Sequence, residues 1–168
     1  AMAQDRIADA DRRMACGLFF AGNLGRDPVY AARTKLIEEV RRLGVQVRVP
    51  LSADGNTIDR TAVIAASADA VLGFGRPGVS GWVDTRVFQY PGAGSILIHD
   101  DASEYLVPDV HYLAYRSGDA RSIVSVLRRL RAMSGAARRA MREAAFAHVQ
   151  ANHNSVARVR EVLARLGL

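Results

Sequence analysis

Apolar residues in this chain fall into short dense runs separated by longer stretches with helical spacing. The runs are CGLFFAG (16–22), VQVRVP (45–50), DAVLGF (69–74) and SILIHD (95–100). Each is too short for a helix and is bounded by turn-forming residues, so each predicts a strand. Three are nearly continuously apolar, as strands covered on both faces are, whereas VQVRVP alternates and is placed nearer an edge. Between the first two, Tyr30, Ile37, Val40 and Leu43 follow helical spacing, with Asp27 and Pro28 at the start and Gly44 at the end. TIDRTAVIAASA predicts a second helix. VDTRVFQYPGAG predicts a third, shorter one closed by Pro91 and Gly92. Strands alternating with helices in this way predict an α/β fold: a doubly wound, Rossmann-like parallel sheet with right-handed crossovers and helices on both faces.

Beyond the fourth strand the rhythm changes. DASEYL suggests one helical turn and VHYLAYR a last short strand, after which everything from Asp119 onwards is helical. Three helices are expected in this C-terminal extension. Their apolar faces are marked by Ile123, Leu127 and Leu130, then by Ala137, Met141, Ala144 and Val149, then by Val156, Val159, Leu163 and Leu166. Ser134 and Gly135 divide the first two, and Asn154 or Ser155 caps the third. Residues 1–14 read as an N-terminal helix or a segment next to a removed tag, since Ala1 and Met2 look like a cleavage scar before an internal start. With 168 residues the chain is expected to form a single domain, 1–168.

Composition narrows the function. No run approaches the roughly 18 apolar residues of a membrane span, and the opening is not a signal peptide, so a cytoplasmic location is expected. One cysteine, Cys16, rules out an internal disulfide and reads as a small core residue. The formal charge is +6, and the excess is local: residues 121–165 hold ten arginines against Glu143 and Glu161. Such helices can meet an anionic partner, although a solvated face is the simpler reading. Little aromatic interleaving accompanies them, which disfavours nucleic acid. His99, His111, His148 and His153 are scattered without metal-ligand spacing, so no metal is expected.

In an open parallel sheet, ligands bind beyond the carboxyl ends of the strands, where helix N-termini offer free N–H groups. Those ends carry AGNLGRDP, FGRPGVSGW and IHDDASE. Gly22, Asn23 and Gly25 allow the backbone near a pyrophosphate, and Arg26 or Arg33 supplies charge, although GNLG matches neither the GxGxxG fingerprint nor a P-loop. Gly73, Gly75, Gly78 and Gly81 crowd the second loop beside Phe74, more glycine than one turn needs. Asp100 ends the fourth strand, facing a crevice or capping the next turn. Asp84 precedes Arg86 at the start of a helix, where it complements the dipole.

From Val83 onwards the order of motifs resembles the C-terminal domain of GT-B glycosyltransferases, of the family 4-like, spore-maturation-protein-like group. Arg86-Val87-Phe88-Gln89, Ala93-Gly94, His99-Asp100, Val110 to Tyr115, Asp119 and His153 to Arg158 follow that order, and LFFAGNLGRDPVY resembles the group's first strand and phosphate turn. The resemblance implies the donor half of a glycosyltransferase, taking a nucleotide sugar without a metal or other cofactor. It assigns Gly22, Asn23, Gly25, Arg26, Arg33 and Arg86 to the phosphates, and Phe74, Gly75, Gln89 and Asp100 to ribose, base or sugar. Two glutamates eight positions apart are usual in that group, and here Gly81 and Gln89 stand in their places. The resemblance also implies a separate N-terminal acceptor domain or partner chain, without which the chain is expected to transfer no sugar. The competing reading is a non-catalytic doubly wound module whose basic helices meet a partner.

Overall fold

The computed structural model describes residues 16–22, 24, 28–50, 58–75, 84–100, 102 and 104–167. Five short strands form one sheet: β1 (Leu18–Phe19), β2 (Val47–Arg48), β3 (Ala70–Leu72), β4 (Leu97–His99) and β5 (Tyr112–Ala114). Their order is β2-β1-β3-β4-β5 and every pairing is parallel. The fold class is therefore the one the alternating pattern predicts. The alternating run VQVRVP does form an edge strand. Each strand is confined to the middle of its apolar run.

The helices are α1 (Pro28–Arg42), α2 (Ile58–Ser67), α3 (Arg86–Gly92), α4 (Ala120–Ala132), α5 (Gly135–Asn152) and α6 (Ser155–Arg165). Pro28 opens α1, where a missing N–H removes no helical bond. Leu36, Ile37 and Val40 bury its inner face. Leu43 does not join them: it lies beyond the last helical residue, in the turn to Gly44, and is 40 % exposed. α3 ends with Pro91 and Gly92 as its last two residues, and its first is Arg86.

Period-two alternation distributes the core over both faces of the sheet. Leu18, Phe20, Ala70, Leu72, Ile96 and Ile98 pack with α1 and α4 on one side. Phe19, Val71, Leu97 and Tyr112 pack with residues of α2, α3 and α5 on the other. Cys16 is buried and unbridged, and burial pushes its thiol up. The C-terminal helices start where their caps stand: Asp119 accepts from Ser122 N–H at 3.0 Å, Ser134 from Ala137 N–H at 3.1 Å and Asn154 from Ala157 N–H at 2.7 Å. α6 departs from expectation. None of its residues is buried, and the apolar stripe Val156, Val159, Leu163 and Leu166 faces outward, 40–67 % exposed.

Candidate functional site

Strand order reverses between β1 and β3, and ligands in such sheets bind beyond the carboxyl ends at that reversal. An open recess of about 260 Å³, solvent included, lies there. Its walls include Phe20 after β1, Gly73 and Phe74 after β3, Arg33 of α1, and Asp84 and Arg86 at the start of α3. The floor is aromatic. Phe20 and Phe74 meet edge to face at 5.0 Å, and Phe74 meets Tyr115 at 6.5 Å.

Two arginines reach this recess in different electrical states. The Arg86 guanidinium is ion-paired to Asp84, whose other oxygen accepts the Arg86 N–H at 3.0 Å. Asp84 thereby takes up the first N–H of α3 and neutralises Arg86 together. Arg33 has no ion pair among the described residues. Its guanidinium carbon lies 6.0 Å from the Tyr30 ring and 5.9 Å from the Phe74 ring, and its buried Nε has no hydrogen-bond partner. Aromatic faces partly stabilise a cation in this position but satisfy none of its N–H donors.

The glycine-rich ends are shaped by what lies against them. A side chain on Gly73 would stand 2.3 Å from the His99 ring, and one on Gly22 would stand 2.6 Å from the ring of Phe20. Asp100 braces this rim. Its Oδ1 accepts from Gly75 N–H at 2.6 Å, its Oδ2 accepts from the Ser117 hydroxyl at 3.0 Å, and His99 Nδ1 lies 3.2 Å from Oδ1. The Tyr115 hydroxyl donates to the Gly73 carbonyl at 3.1 Å, and burial pushes its ionisation far up. Tyr90 of α3 is pushed up to about 12, chiefly by burial.

Of the residues singled out from sequence, Arg33, Phe74 and Arg86 line one recess, and Gly22 lies under the ring of Phe20 beside it. Gly75 and Asp100 are bonded to each other on its rim. Gln89 is on the exposed side of α3 and does not line the recess. Asn23, Gly25 and Arg26, most of the FGRPGVSG loop, Gly81 and the 1–14 segment lie outside the described residues. Phe20 and His99 also line the recess, although neither is among the site residues assigned from the sequence. The alternation Leu18, Phe20 could have placed Phe20 on the Phe74 side of the sheet.

A family model described as glycosyl transferase-like matches residues 33–164. The chain belongs to the glycosyl transferase-like family. The match takes in Arg33, the ends of β3 and β4 at the recess, and the C-terminal helices up to residue 164. No curated protein matches this glycosyl transferase-like domain. Among its described residues, no helix is long and apolar enough to cross a membrane, and no group of three or more His, Cys, Asp or Glu side chains could hold a metal.

Proposed function

We propose that this chain is the donor half of a GT-B glycosyltransferase and binds a nucleoside diphosphate sugar in the recess between β1, β3 and α3. The observation that carries the reading is Arg33, a partly buried cation without a counter-charge among the described residues, held between two aromatic rings at the sheet's reversal point. A desolvated, unpaired guanidinium is unfavourable until an anion reaches it, and its planar fork suits phosphate oxygens. The charge that grows on a departing nucleoside diphosphate is what such a group stabilises during sugar transfer. Arg86, kept in place by Asp84, supplies a second contact. Phe74 offers a face to the sugar or base. The acceptor side comes from an N-terminal domain or a partner chain.

Calorimetry with UDP, GDP, ADP and TDP tests the reading. Loss of a charge-assisted contact costs about 1.5–3 kcal/mol, so Arg33→Ala should weaken binding at least about tenfold. Arg86→Ala should also weaken it, since it bares Asp84 toward the anion, and Gln89→Ala should matter less. No binding of any of the four at millimolar concentration, or Arg33→Ala binding as tightly as wild type, would favour the non-catalytic module instead.

A further inference from the structure

The histidines that the sequence scatters over 111, 148 and 153 stand together in space. His111 stacks on His148 with ring centroids 4.4 Å apart, and His148 lies 5.2 Å from His153. His153 continues onto Phe88 of α3, stacked at 4.5 Å, with Tyr105 edge-on at 5.9 Å. Each ring turns Nδ1 toward a donor. Val107 N–H donates to His111 at 3.1 Å, Asn152 Nδ2 lies 3.4 Å from His148 Nδ1, and Arg158 Nη2 donates to His153 at 2.8 Å. His148 Nε2 donates to the Tyr105 carbonyl at 2.9 Å. An Nδ1 that accepts carries no proton, and arginine cannot accept one, so these contacts assign neutral His111 and His153 rings protonated at Nε2.

α6 is held through this stack by its polar side. Arg158 bonds His153, lies 5.9 Å over the Phe88 ring and pairs with Glu161 at 2.8 Å, while the helix's apolar stripe faces away. With no buried residue of its own, α6 lacks the packed apolar face that fixes most helices. We propose that the stack is a proton-sensitive clasp: with neutral rings it holds α6 against α3, and protonation of His153, between Arg158 and His148, releases α6.

The groups facing the stack are Arg158 and Glu161 of α6, Asn152 of α5 and Tyr105 in the turn before β5; α3 contributes the uncharged Phe88. Arg158 opposes a proton on His153 directly. Glu161 favours one, but it is shared between Arg158 and Arg165. Burial first, then Arg158 and His148, hold His153 below its ordinary value of 6.5, and burial followed by His148 lowers His111. Released α6 leaves His153 free to take a proton at its ordinary value, so docking is complete above 6.5. It weakens as pH falls through the lowered value and levels off below it.

Amide exchange of the full chain, read as protection factors, and histidine titration by NMR test this between about pH 7.5 and about pH 5. Protection in α6 should fall about tenfold for each unit separating the docked and released His153 values, while α4 keeps its protection. His153→Asn offers Oδ1 to Arg158 without titrating, and should keep α6 protected at both ends of the range. Should that variant fail to fold, Arg158→Gln keeps a donor without the charge; the fall should shrink and His153 should titrate nearer its ordinary value. Wild-type α6 protection that does not change across the range overturns the proposal, as does a fall that persists at full size in either variant.

Discussion

One added methyl group at Gly73 tests how tightly the floor of the recess is built. Alanine there would place a carbon 2.3 Å from the buried His99 ring, and the ring has a strand end on one side and Asp100 on the other. Forcing an extra carbon into a packed site costs about 1–3 kcal/mol, so Gly73→Ala should lower the urea midpoint with an unchanged slope. Asp100 is the complementary case. Removing its carboxylate strands the partly buried Gly75 N–H and leaves the exposed Ser117 hydroxyl to water, and a buried donor left unpaired costs about 1–3 kcal/mol. Asp100→Ala should therefore destabilise the fold even without any ligand. A variant as stable as wild type would mean that water replaces both bonds.

At the scale of the element, caps and faces behave differently. Asp119 makes the first turn of α4, and Asp119→Ala should cost about 1 kcal/mol by thermal or chemical unfolding. α6 gives the opposite expectation: Val159→Gln changes an exposed position and should leave the stability of the isolated chain within about 0.5 kcal/mol. This contrast marks what could be read in the sequence. The strand centres and caps were legible because alternation and N-cap chemistry are local. Which side of α6 packs was not, because helical spacing reports a stripe but not what lies against it. Phe74 was legible as a site candidate from its position after a strand end and Arg33 as a cation in the helix after the first glycine turn, whereas the opposite states of Arg33 and Arg86 depend on a neighbour, Asp84, that serves only one of them. The histidine stack was illegible for a similar reason: its members come from the approach to β5, from within α5 and from the cap between helices.

Over the whole molecule, acidification acts in two windows. His111 and His153 are disfavoured as cations in the fold, so unfolded chains bind more protons below 6.5 and stability falls from there. Asp119, held low mainly by Ser122 N–H, and Glu161, held low mainly by Arg158, add a second loss as pH drops through their depressed values, below the ordinary 3.8 and 4.5. Melting temperatures measured across this range should show two separate declines, and His153→Asn should flatten only the upper one.

The sheet order also governs how the chain reaches its fold. β1 meets β2 on one side and β3 on the other, with Leu18 opposite both Val47 and Ala70. No neighbouring strands are joined by a hairpin, and the pairings of β1 with β2, β1 with β3 and β3 with β4 each wait for at least one whole helix to form and fold back across the sheet. Such topologies close their loops before any pairing rewards them, and fold slowly. Meanwhile LFF, AVL and LIH, all fully buried or nearly so in the finished sheet, stay open to other molecules. Refolding from urea should thus lose yield as protein concentration rises, which light scattering reads directly.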